Sequence, residues 1–92
     1  MRLTEQDIVN AVCLNMAERK GLKPIEVDVE LMWDEDLGFS AEVFAGGRSQ
    51  ILTEGNLFEA IGQYLFNHHQ MRVFRDQIQF ILEEEIIAEI AV

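Results

Sequence analysis

Ile25-Glu26-Val27-Asp28-Val29-Glu30-Leu31-Met32-Trp33 sets Ile25, Val27, Val29, Leu31 and Trp33 on one side and Glu26, Asp28, Glu30 and Met32 on the other. A period of two over nine residues predicts a half-buried strand. Beyond the turn Asp34-Glu35-Asp36-Leu37-Gly38, the apolar face continues through Phe39, Ala41 and Val43, while Ser40, Glu42 and Phe44 point away. The two faces coincide only when Trp33 stands opposite Phe39, which fixes the hairpin register and sets Glu30 across from Glu42.

The same pattern is written twice. Leu3-Thr4-Glu5 returns 49 positions later as Leu52-Thr53-Glu54, and the offset carries Ile8, Val9, Ala11, Val12 and Met16 onto Leu57, Phe58, Ala60, Ile61 and Leu65. It also sets Val29 to Asp36 on Ile78 to Glu85; past the turn the offset falls to 47 and pairs Phe39 to Val43 with Ile86 to Ile90. Each copy opens on an amphipathic helix, near residues 4–20 and 53–68, capped by Thr4 and Thr53. Gly21 and Pro24 end the first helix, and His68 and His69 suit the negative pole of the second. Gly46-Gly47 is a turn, and Arg48 to Leu52 supplies a short third strand. The sequence thus predicts one α+β domain over residues 1–92, with pseudo-repeats 3–45 and 52–92 in the order α-β-β-β-α-β-β. The economical architecture places two helices on one face of an antiparallel sheet of four or five strands. Its expected core joins Ile8, Val9, Val12, Met16, Leu57, Phe58, Ile61 and Leu65 to Val29, Leu31, Trp33, Val43, Phe80 and Ile90.

Ninety-two residues suffice for one core, and 49% hydrophobic with 26% charged residues excludes a disordered chain. Seventeen acidic against seven basic residues leave a charge of −10, and the scattered cations form no stripe that could displace counterions from nucleic acid or hold an anionic membrane. No apolar run approaches the ~20 residues of a membrane span, and the first residues lack a signal peptide's apolar run. A lone cysteine, Cys13, permits no intrachain disulfide, so the cytoplasm is the expected compartment.

Candidate chemistry is thin. The acidic turn at residues 34–38 fails as a calcium loop, because Phe39 stands where the loop glycine belongs and Ala45 where its last carboxylate belongs. Adjacent His68 and His69 diverge by about 100° on a helix and share a metal poorly. Cys13 lies at the edge of the first helix's apolar stripe and reads as an inert buried thiol. The carboxylates Glu30, Glu42 and Glu89 form a candidate acidic patch on the outer sheet face. No catalytic residue, metal ligand or cofactor site is expected.

The stretches Val29 to Val43 and Asn56-Leu57-Phe58-Glu59-Ala60-Ile61, together with the length, resemble the YxcD-like family of small uncharacterised proteins from Gram-positive, spore-forming bacteria. The resemblance covers nearly the whole chain and implies no activity, substrate or site residues.

The leading expectation is therefore a non-catalytic interaction module that forms a homodimer through Met32, Phe44, Ile81 and Ile87 on the outer face. The final strand, Ile86 to Val92, is expected to lie as an uncovered edge beside them. The alternatives are an acidic decoy or regulator of a basic protein, and a small metal-dependent enzyme using the sheet carboxylates.

Overall fold

The computed structural model describes residues 1–91. Thr4 and Thr53 precede helices α1 (Glu5–Lys20) and α2 (Glu54–His69). At α1 the cap is reciprocal: Asp7 N–H donates to Thr4 Oγ1 at 3.2 Å, and the Asp7 carboxylate accepts from Thr4 N–H at 3.0 Å. Two donors that a helix start leaves orphaned are thereby paired. At α2, Asn56 Oδ1 accepts from Thr53 N–H at 3.1 Å. Gly21 ends α1 in the left-handed region with φ of 66°, and Leu22 N–H closes the turn on Ala17 O at 2.8 Å.

Six strands follow the chain: β1 (Arg2–Leu3), β2 (Val27–Asp34), β3 (Gly38–Ala45), β4 (Arg48–Leu52), β5 (Ile78–Leu82) and β6 (Ile86–Ile90). Both hairpins take the expected register. Trp33 faces Phe39 and Glu30 faces Glu42, while Phe80 faces Ala88 and Leu82 faces Ile86. Both core clusters draw on the two helices together, so α1 and α2 lie on the same side of the strands.

The strands do not form one sheet of four or five. They form two antiparallel sheets of three, ordered β2-β3-β4 and β1-β6-β5. The added strand is β1, which precedes the first helix and changes the order to β-α-β-β-β-α-β-β. Its two residues are too few to show a period. It pairs Arg2 with Glu89 and Leu3 with Ala88, which makes β6 the central strand of its sheet and corrects the expected free edge. The Met1 nitrogen continues this ladder by donating to Ile90 O at 3.1 Å, and Ile90 N–H donates to Met1 O at 2.7 Å. The expected extension of this strand to Val92 lies outside the described residues.

β4 does the same on the other sheet, setting Leu52 opposite Ala41 and Ile51 opposite Glu42. A carboxylate fastens each junction. Glu54 Oε2 accepts the N–H of Phe39 at 3.2 Å, and Glu5 Oε1 accepts the N–H of Ile86 at 3.1 Å. Each helix thus pairs, through its first residue, the opening of a strand that would otherwise hold a part-buried orphan donor.

One core cluster gathers Val12, Met16 and Ala17 of α1 and Leu57 and Ala60 of α2 over Val27, Ala41, Val43, Ala45 and Leu52. The other gathers Ile8 and Ala11 with Ile61 and Leu65 over Leu3, Ile78, Ile86, Ala88 and Ile90. Leu31, Phe39 and Phe80 pack against both clusters and close the seam. Of the expected core, Val9, Val29, Leu31, Phe58 and Phe80 are only half-buried, and Trp33 is exposed at the end of its hairpin. Ile25 leaves the strand altogether and is 89% exposed. Pro24 there starts a 3₁₀ turn in which Glu26 accepts from Lys23 N–H at 2.8 Å, a local bond that displaces the ladder.

Gly38 separates two effects. Its φ is +71° and a Cβ would stand 2.8 Å from Glu54 Oε2, whereas Gly46 has φ +60° and open space. In urea unfolding, Gly46→Ala is expected to cost about 1 kcal/mol for the left-handed backbone alone. Gly38→Ala should cost roughly 1–2 kcal/mol more by displacing the carboxylate, a surplus that disappears in a Glu54→Ala background.

Candidate functional site

The two hairpin turns carry the chain's densest charge. Asp34-Glu35-Asp36 closes the first and Glu83-Glu84-Glu85 the second, together six of the 17 acidic residues. The first turn is shaped locally: Asp34 Oδ1 accepts from the N–H groups of Asp36 at 2.8 Å and Leu37 at 2.6 Å, leaving the other carboxylates to solvent. In the second, Glu83 N–H donates to Glu85 O at 3.1 Å. Each turn is flanked by a large apolar side chain that the helices leave uncovered: Trp33 is 44%, Leu37 54% and Leu82 50% exposed. Behind them the seam is aromatic. Trp33 meets Phe39 edge-on at 6.5 Å, Phe39 lies 5.3 Å from Phe80, Phe80 stacks 5.2 Å from Phe58, and the Arg75 guanidinium sits 4.9 Å over Phe58.

The expected acidic patch is split. Glu30 and Glu42 face each other across β2 and β3, but Glu89 belongs to the other sheet. There the Arg2 Nε donates to Glu89 Oε1 at 2.7 Å, and this bond, followed by the carboxylate's charge, holds the guanidinium above its ordinary pKa. The sequence could have shown this pairing. Shifting Ile51-Leu52 back by 49 places Arg2-Leu3 in the role of a strand.

The expected dimer face is likewise divided. Met32 and Phe44 belong to one sheet, and Ile81 and Ile87 are cross-strand neighbours in the other. Phe44 is exposed, while Met32 and Ile81 are half-buried. Ile87 is only 5% exposed, on a strand flanked by both β5 and β1. Its counterpart 47 residues earlier, Ser40, is fully buried with Oγ unpaired within the protein, an unexpected hydroxyl in a slot that elsewhere takes isoleucine.

A cleft of about 260 Å³ lies between the helices, against Asn15, Leu22, Pro24, Gln63, Tyr64 and His68. Its amides bind one another and the protein: Asn15 Nδ2 donates to Gln63 Oε1, and Gln63 Nε2 donates to Glu18 Oε2 at 3.3 Å. His68 and His69 are exposed, packing against the Tyr64 ring at 5.1 and 5.5 Å. Cys13 Sγ lies 3.5 Å from Val27 O, and burial, followed by the charge of Asp28, raises its thiol pKa. Among the described residues no three His, Cys, Asp or Glu side chains converge as a metal site, and no helix is long and apolar enough to cross a membrane.

These features define a small α+β domain with two three-stranded antiparallel sheets under a helix pair. The chain belongs to the family described as "Protein of unknown function (DUF2653)", which matches residues 1–85. It is similar to the uncharacterized protein YxcD of Bacillus subtilis (strain 168), 32% identical over 68 residues, or 73% of this chain and 67% of that protein. No solved structure matches it.

The raised Cys13 pKa gives a direct check, since the thiolate is the reacting species. At mildly alkaline pH, alkylation by iodoacetamide should be slower than for a free cysteine peptide, the two rates converging in denaturant. Labelling of the folded protein as fast as the peptide would contradict the raised pKa of this half-buried thiol.

Proposed function

We propose that the protein is a non-catalytic interaction module for a basic protein, built from two copies of a β-α-β-β unit. The observation that carries the partner's chemistry is the concentration of six carboxylates in the two hairpin turns; among the described residues the only ion pair that any of these six makes is a 4.0 Å contact from Arg2 to Glu83. Such a field accelerates encounter with a cationic surface and repels a second copy of the same chain. The duplicated unit is supported by equivalent strand registers, Leu3 on Ala88 and Leu52 on Ala41, and by the matching Glu5 and Glu54 bonds. A single thiol supports a reducing compartment, the cytoplasm.

A homodimer is the second reading, favoured by exposed Phe44 and Ile51 on the outer side of β3 and β4. The two readings separate in solution. For the basic-partner module, calorimetric titration with an oligolysine peptide should show binding at low salt that weakens steeply as salt rises, with sedimentation equilibrium returning 10.6 kDa. No heat at low salt, together with a dimer that Phe44→Glu dissociates, would replace the first reading by the second.

A further inference from the structure

The cationic partner proposed above has a place to dock. We infer that the rim formed by Trp33, Leu37 and Leu82 receives large apolar side chains from a basic segment of that partner, while the turn carboxylates hold its lysines and arginines. The inference rests on the basic-partner reading and adds to it a site. Both hairpins end in the same arrangement, an exposed large apolar residue immediately before three carboxylates: Trp33 before Asp34-Glu35-Asp36, and Leu82 before Glu83-Glu84-Glu85. Leu37 adds a third exposed side chain on the far side of the first turn.

The two ends belong to one surface. Phe39 and Phe80, one from each hairpin, have ring centroids 5.3 Å apart. Leu37 and Leu82 lie two residues from these rings, roughly 7 Å of extended chain each. The occupant follows from charge and shape together. An acidic or neutral apolar segment would desolvate the turn carboxylates without pairing them. A second copy of this chain would bring its own −10 against them. A segment that alternates cations with leucine- or phenylalanine-sized side chains satisfies both the carboxylates and the rim. The aromatic seam behind the rim is fixed by ring contacts on both sides of Phe39 and Phe80, so it supplies a firm floor.

Trp33 is the single tryptophan, so its fluorescence reports the site directly. The full-length protein is titrated with a synthetic peptide of lysines interspersed with leucines, and with an oligolysine of equal charge. The mixed peptide should shift Trp33 emission to the blue and bind about tenfold more tightly than oligolysine, as burial of a few leucine methylenes gives. Asp34→Asn/Glu35→Gln/Asp36→Asn keeps the Asp34 acceptor for the turn and should weaken the mixed peptide about tenfold. Asp28→Asn/Glu59→Gln/Asp76→Asn removes the same charge elsewhere and should change it less than about threefold. Leu37→Ser, at an exposed position, should reduce the preference for the mixed peptide without touching charge. If both triple variants weaken binding alike and the emission does not move, the docking site is wrong while the basic-partner reading stands. If neither peptide binds at low salt, both fall.

Discussion

Neither hairpin completes its own sheet. The third strand of each comes from the opening segment of the other half of the chain, Arg2-Leu3 beside β6 and Arg48 to Leu52 beside β3. The helix that follows each opening segment brings a glutamate to the same junction, Glu5 at Ile86 and Glu54 at Phe39. An isolated two-stranded hairpin is marginal in water, and three strands with an apolar face packed on a helix are close to the minimum that stands. Since each half supplies what the other lacks, the halves are expected to form and melt together. The mixed core clusters, each holding side chains from both helices, enforce the same dependence through packing.

The residues announced most of this where a period was long enough to see. The alternation from Val27 to Trp33 gave the strand, its register against Phe39 and the facing pair Glu30 and Glu42. Thr4, Gly21 and Thr53 marked helix ends that the structure places within one residue. The single sheet was not legible, because alternation reports which face a side chain takes and says nothing of which edge a strand joins. β1 was hidden by its two-residue length, and with it the partner of Glu89. Ile25 continued the period but lost to Pro24, since a local turn bond forms without any loop to close. The acidic turns stood plainly in the sequence as charge. Their joining with Trp33, Leu37 and Leu82 on one surface required knowing that two hairpins meet at Phe39 and Phe80.

The arrangement also separates stability from surface chemistry. The turns that hold the carboxylates lie at the hairpin ends, whereas the buried clusters are formed under the helices. Charge can accumulate at those ends with little desolvation, because the side chains point into water. The outer faces are mixed in character, with Glu42 opposite the apolar Ile51 and Glu89 opposite Arg2.

One backbone contact has a topological meaning. Met1 and Ile90 exchange hydrogen bonds in the ladder between β1 and β6, as Ala45 and Arg48 are paired across Gly46-Gly47 between β4 and β3. Met1 and Ile90 are therefore paired as Ala45 and Arg48 are at the other junction, where a two-residue turn joins them. Bridging Met1 to the last strand with such a turn and cutting at Gly46-Gly47 would exchange the order of the halves while keeping every strand neighbour. The strand order of each sheet is in this sense independent of which of the two junctions is covalently closed.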